Sequence, residues 1–189
     1  MNVGTKSILF GDHQFLIHPL FVARAWWRLF GFPRDPRLWV CFFVHDLGYW
    51  GKPNMDGEEG STHPELGAQI AHWLFDLVKR PEFSCPGDEP LFWHDFCLYH
   101  SRFFAKRDGH PVSRLALADK LALVMTPCWL FLFLARLCGS LPEYVALSRE
   151  KGEATGNLGE WHKKLQEGMR EWVYNTFNRQ TLVEGYFRP

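Results

Sequence analysis

The sequence predicts an all-α fold, and three observations carry that expectation. Apolar residues recur at three- and four-residue spacing, as in Leu16, Leu20, Ala23, Trp27 and Phe30. Strand-like alternation is hard to find anywhere in the chain. Clusters of Gly and Pro separate segments of helical length. With 189 residues, 47% of them hydrophobic and 22% charged, the chain can bury enough apolar surface to offset the entropy of ordering.

Taken in order, a first helix passes through Leu16 and Phe30 and is ended by Gly31, Pro33 and Pro36. A second is expected over residues 37–50, through the apolar run 38–44. A loop rich in Gly, Pro, Asn and Asp follows over 51–61. Thr62-His63-Pro64-Glu65 then reads as a capping box with Pro in the first turn, opening a helix over 63–79. Residues 81–90 form the next loop, and 91–107 an amphipathic helix with His100 in its second half. Asp108-Gly109-His110-Pro111 is a turn before a helix that starts near Val112 or Ser113 and carries Asp119 in its middle. Residues 121–138 are almost wholly apolar, at the lower edge of a membrane span in length. Pro127 divides them, and Lys120 and Arg136 shorten the uncharged stretch to about fifteen residues. The expectation is two helices meeting at Pro127, in the interior or at a homo-oligomer interface, and no membrane span. The tail is more polar, with Gly152, Gly156 and Gly159 marking a loop before a last helix over 160–177. Residues 1–138 are read as the core unit and 139–189 as a helical extension packed on the same domain.

Composition excludes several functions. Lys plus Arg and Asp plus Glu number 21 each, so the formal net charge is zero, which argues against sequence-independent nucleic-acid binding. The five Cys, at 41, 85, 97, 128 and 138, contain no C-x-x-C pair and encode neither a disulfide framework nor a thiolate zinc site. The apolar run Ile8-Leu9-Phe10 is too short for a signal-peptide core, and the expected compartment is the cytoplasm.

The chemistry should lie where acids sit in apolar surroundings. Asp46 follows His45 directly after the apolar run, and Asp119 is embedded among Leu and Ala. An ionised carboxylate is costly to bury unless something cationic receives it. Lys120 is not expected to serve Asp119, because adjacent helical residues do not face each other. Two internal carboxylates with His nearby point to a metal ion as the missing partner. Blander readings stand beside this one. His45-Asp46 alone could be a core pair, His63 an exposed helix-start residue and His100 a half-buried surface residue. His72 and His94 rival His63 and His100, while His162 reads as part of a solvated face and Lys52 as a solvated loop lysine.

The ordered series His18, His45-Asp46, His63, His100, Asp119 on an all-α background resembles the HD-domain metal-dependent phosphohydrolase superfamily, over roughly residues 13–134. The resemblance implies a single HD-domain helical bundle whose first metal is held by His18, His45, Asp46 and Asp119. In two-metal members Asp46 would bridge to a second ion held by His63 and His100. His63-Pro64-Glu65-Leu66-Gly67-Ala68 is similar to the corresponding segment of the two-metal and HD-GYP branches, and Asp108-Gly109-His110-Pro111 to their Gly-Tyr-Pro region. The chain departs from the pattern at Tyr49, where many members carry Lys and where Lys52 arrives three positions later. It departs again at Tyr99-His100-Ser101, which replaces the His-His-Glu of HD-GYP proteins and sets this chain apart from their cyclic-di-GMP substrate.

The implied activity is hydrolysis of a nucleotide or other small phosphate ester by a metal-bound hydroxide at a two-metal site. The ions would be one or two of Fe, Mn, Co, Ni or Zn. Asp46 and Lys52 are the catalytic candidates, and Lys52, Arg102, Lys106 and His110 the substrate-binding ones. His13 and Arg107 are further cations for phosphate. Tyr49, Trp50 and Phe104 are candidates to stack on a base. Two alternatives remain open: a single-metal nucleotidase using the first four ligands, and a catalytically silent, metal-containing nucleotide-binding or assembly module. In the latter, the aromatic segment 129–134 packs on a partner or membrane.

Overall fold

The computed structural model describes residues 1–77, 91–150 and 157–184, and these form ten α-helices with no strand among them. The all-α expectation holds. Helix α1 (Val3–Phe10) precedes the first expected helix, and its only trace in the sequence was the run Ile8-Leu9-Phe10. Helix α2 (Ile17–Phe30) ends at Gly31, whose φ of +90° suits a residue without a side chain. Helix α3 (Pro36–Val44) opens on Asp35, whose carboxylate accepts the Arg37 N–H, with Pro36 in the first turn.

The helix expected over 37–50 is in fact two pieces. After Val44 the chain tightens into a 3₁₀ turn, Leu47–Tyr49, in which Tyr49 N–H bonds to the carbonyl of Asp46 and Trp50 N–H to that of Leu47. His45 and Asp46 therefore occupy the junction rather than a helix interior. A similar revision applies to the capping box. Thr62 ends a 3₁₀ turn (Gly60–Thr62), where its hydroxyl donates to the Glu59 carbonyl and accepts from Lys52 Nζ, so His63 leads into helix α4 (Pro64–Ala71) without a side-chain cap. A π-helical turn, His72–Asp76, follows. The end of the helix expected at 79 and the loop over 81–90 lie outside the described residues.

The helix expected over 91–107 is broken into α5 (Phe92–Leu98) and α6 (Arg102–Arg107). The Tyr99 carbonyl accepts from Ser113 N–H at 2.9 Å, which withdraws it from any helical ladder and places His100 at the break. Ser113 then caps α7 (Arg114–Met125) by accepting from Ala116 N–H. At Thr126-Pro127 the chain turns by 103° into α8 (Cys128–Cys138), so the expected meeting of two helices at Pro127 is present. No single helix among the described residues is long and apolar enough to cross a membrane. Helix α9 (Leu141–Glu150) was not anticipated. Helix α10 (Leu158–Glu184) contains Gly159 and outruns the expected 160–177, while Gly152 and Gly156 fall outside the described residues.

Helix α7 is apolar on every side, as a central helix must be, and packs against α2 and α10. The main core joins Val22 and Trp26 of α2, Phe42 of α3, Phe96 of α5 and Leu115, Leu117 and Leu121 of α7. Each such side chain contributes about 1.5–3 kcal/mol by leaving water. The Gln166 amide on α10 lies within hydrogen-bond distance of the carbonyls of Leu123, Val124 and Thr126 and so caps the C-terminal end of α7, where the Leu123 carbonyl also accepts from Thr126 N–H. His162 is a correction to the solvated-face reading: α10 turns it fully inward, where its ring lies 4.6 Å from that of Phe131.

Two glycines let backbones approach around the site. A Cβ on Gly67 would lie 2.6 Å from the Val44 carbonyl oxygen and 2.8 Å from His45 Cα, so α4 rests directly on the end of α3. A Cβ on Gly48 would collide with the carbonyl of His63.

Candidate metal centre

Six side chains converge from separate elements. His18 comes from the first turn of α2, His45 and Asp46 from the junction after α3, and Asp119 from the middle of α7. His63 stands at the entrance to α4 and His100 at the break between α5 and α6. His18 Nε2 lies 3.3 Å from Asp46 Oδ2 and 3.1 Å from Asp119 Oδ1, and His45 Nε2 lies 3.1 Å from Asp46 Oδ2 and 4.0 Å from Asp119 Oδ1. On the other side of the same carboxylate, Asp46 Oδ1 is 3.5 Å from His63 Nε2 and 3.4 Å from His100 Nε2. Asp46 thus belongs to two ligand groups, one with His18, His45 and Asp119 and one with His63 and His100.

These atoms crowd a shared centre without satisfying one another. His18 Nε2, His45 Nε2 and Asp46 Oδ2 are buried and make no hydrogen bond of proper geometry, although each has a polar neighbour close by. Buried polar atoms are rarely left in that condition. The ring orientations say the same. His45 and His63 donate Nδ1–H to the carbonyls of Phe42 and Gly60, at 3.0 and 2.8 Å, and His100 donates to that of Cys97. A carbonyl only accepts, so each Nδ1 carries the proton and each Nε2 presents a lone pair inward. The Nε2 atoms of His63 and His100 are 3.1 Å apart. Two lone pairs facing at that distance repel unless a cation lies between them. Nitrogen and oxygen donors about 2.1 Å from a metal sit about 3 Å apart when adjacent, which matches these separations. Such a buried set of His and carboxylate ligands can hold a metal ion, and its donors suit Fe, Mn, Co, Ni or Zn.

The electrostatics agree. Burial opposes ionisation of Asp46, but the surrounding imidazoles, His45 and His13 first, hold its carboxyl well below the usual range. Burial likewise opposes ionisation of Asp119, which Lys120 and His18 outweigh. Lys120 Nζ reaches Asp119 Oδ2 at 2.7 Å, against the expectation that neighbours on a helix could not meet. The long, flexible lysine stem allows it, and Asp119 Oδ1 is left for the centre. Burial favours the neutral form of His18, yet Asp119 and Asp46 raise it to about 10. His63 and His100 are pushed down, first by burial, and stay neutral and ready to ligate.

The other candidates are placed differently. Lys52 Nζ donates to Thr62 Oγ1 at 2.6 Å. His110 is exposed, donates to the Pro111 carbonyl and stacks on Tyr99 at 4.0 Å. Arg102 is exposed with its guanidinium over Trp172, Lys106 is exposed, and Arg107 pairs with Asp108. Tyr49 stacks on the ring of His63 at 3.9 Å and is buried, and Phe104 belongs to the core, so neither is free for a base; Trp50 is exposed. His72 and His94 gather with Asp76, away from the ligand groups.

One polar cluster beside the centre was anticipated only through His13. Asp12 is buried and accepts from Ser7 Oγ at 2.8 Å and Tyr144 OH at 2.6 Å, with His13 Nδ1 at 3.5 Å. The His13 ring in turn lies 5.5 Å from that of His18 and 4.9 Å from Tyr49. The available signal was a second acid–imidazole pair, Asp12-His13, just ahead of His18. The chain matches no family model, no curated protein and no solved structure.

Proposed function

We propose that the protein is a metal-dependent phosphohydrolase acting on a nucleotide or another small phosphate ester at a two-ion site. The observation that carries this reading is the division of Asp46 between two ligand groups, Oδ2 toward His18 and His45 and Oδ1 toward His63 and His100. A carboxylate used on both edges suits a pair of adjacent cations. When bound, such ions would acidify a water and neutralise the phosphoryl oxygens, the two needs of phosphate-ester hydrolysis.

The protein's own groups supply the rest. His18, His45 and Asp119 hold one side with Asp46, and His63 and His100 the other. His13 borders His18 with its Nδ1 engaged by Ser7 and Asp12, and in this reading its Nε2 grips a phosphoryl oxygen. Lys52, held on Thr62, is the second cation at the substrate. The substrate needs no nucleophilic side chain.

Elemental analysis of freshly purified protein, with turnover of a generic phosphodiester and a panel of mono-, di- and cyclic nucleotides, tests the proposal. Bound transition metal and steady turnover are expected, abolished in Asp46→Ala. Protein that is metal-free, folded and inert after Mn or Fe is added back would overturn it.

A further inference from the structure

Helices α2 and α8 expose apolar side chains in register. Leu16, just ahead of α2, is 61% exposed, Leu20 and Trp27 on α2 are 56% and 60% exposed, and on α8 Trp129 is 71% and Phe133 57% exposed. Single exposed apolar residues are ordinary, but these repeat at helical spacing along one stripe of each helix. The two helices also wall a common recess, with Ile17 and Phe21 on one side, Leu130 and Leu134 on the other, and the ligand His18 between them. The recess places the two helices side by side next to His18.

The charge carried by the two helices themselves is of one sign. Neither helix contains an Asp or a Glu, and their Lys and Arg complement is Arg24, Arg28 and Arg136, all exposed. In a chain of zero net charge this is a local surplus. Arg24 and Arg28 follow Leu20 and flank Trp27 on the α2 stripe, and Arg136 follows Phe133 on that of α8. Exposed Trp and Phe interleaved with Arg, without acids, is the chemistry of a surface that lies in the headgroup region of a membrane.

We propose that the α2/α8 surface docks on a lipid bilayer bearing anionic headgroups, with Trp27, Trp129 and Phe133 entering the interface and the three arginines meeting lipid phosphates. A second copy of the chain fits less well. A two-fold dimer through this face would set arginine against arginine, with no acid on either helix to answer it. Neither α2 nor α8 is by itself long and apolar enough to cross a bilayer, and α8 is set off from α7 by a 103° bend. The inference does not depend on the hydrolase reading, because it uses no metal and no turnover.

The test is flotation of the full chain with vesicles of phosphatidylcholine alone and of phosphatidylcholine mixed with phosphatidylglycerol, at low and high salt. The protein is expected to float with the mixed vesicles, less so in high salt. Arg24→Glu/Arg28→Glu/Arg136→Glu and Trp27→Ser/Trp129→Ser/Phe133→Ser should each lower partitioning about tenfold or more. All six positions are exposed, and circular dichroism melts confirm that both variants fold. Absence of flotation with mixed vesicles overturns the proposal, as does equal flotation of the arginine variant. A dimer in sedimentation equilibrium that the aromatic variant converts to monomer also overturns it, by assigning the face to a second copy.

Discussion

The two sides of Asp46 are built from different materials. On one side, His18 and Asp119 project from α2 and α7, helices locked together in the main core, and Asp119 adds a second carboxylate. On the other, His63 and His100 sit where helices begin or break, each oriented by an Nδ1–H bond to a carbonyl three residues earlier, and the only carboxylate is the shared one. Ligands fixed by core packing and backed by two negative charges should hold a divalent ion more tightly than neutral imidazoles held by turns. Under the proposed two-ion reading, the His18 side would hold a resident ion and the His63/His100 side an exchangeable one.

The most severe break of this contrast is Asp46→Ala, which removes the ligand common to both sides. Both ions should be lost and phosphodiester turnover should fall by about a thousandfold or more, read by elemental analysis and initial rates. Retention of a full metal complement would show that Asp46 is not shared. Next come His63→Ala and His100→Ala, singly. Each should empty the weaker side, leave the metal held by His18, His45 and Asp119, and reduce turnover by about a hundredfold. Unchanged stoichiometry and rate would reduce the centre to the single-metal nucleotidase arrangement.

Chelation orders the two sides without mutation. A titration followed by melting should remove metal in two steps, the His63/His100 side first. Complete removal should lower Tm by about 5–10 °C, since a ligand at a hundred times its Kd contributes about 2.7 kcal/mol in a chain of this size. A single step would mean that the two sides bind with equal strength.

The same contrast governs what was legible in the sequence. His45-Asp46 and Asp119 were conspicuous because a carboxylate in an apolar helix demands an explanation, and helical periodicity placed α2 and α7 correctly. The elements around the second side were read as regular and proved irregular. His100 was expected inside one helix and lies at a break, because Ser113 N–H takes the Tyr99 carbonyl, a long-range bond that local spacing does not encode. Thr62 was expected to cap α4 but is claimed by Lys52 and Glu59. Gly67 and Gly48 carry no local signal of their role, yet each permits a backbone contact that brings His45 and His63 together. Helix α9 was missed because its anchors are tertiary: Glu143 accepts the N–H groups of Met55 and Asp56, and Ser148 Oγ accepts from Trp161 Nε1.

The mildest expected effect belongs to Asp12, which touches only the His18 side. Burial opposes its ionisation, but the charge of His13 and hydrogen bonds from His13, Tyr144 and Ser7 hold its carboxyl well below the usual range. A depressed native pKa stabilises the fold above the unfolded value of about 3.9 and ceases to do so as pH falls toward the native value. His13 is shifted the opposite way: burial lowers it, but Asp12 and Asp46 raise it, so its share is complete below about 6.5 and fades as pH rises through the native value. The Asp12–His13 pair therefore contributes most between about pH 4 and 6.5. Asp12→Asn should cost about 1–2 kcal/mol in that window, with the deficit shrinking on the acid side as the wild-type carboxylate protonates and narrowing on the alkaline side as His13 loses its proton. Urea unfolding of both proteins across pH measures it. A deficit independent of pH would show that Asp12 acts through packing rather than charge. Because Asp12 touches neither His63 nor His100, the substitution should also leave metal on the His63/His100 side unchanged, which separates it from every variant that acts on Asp46.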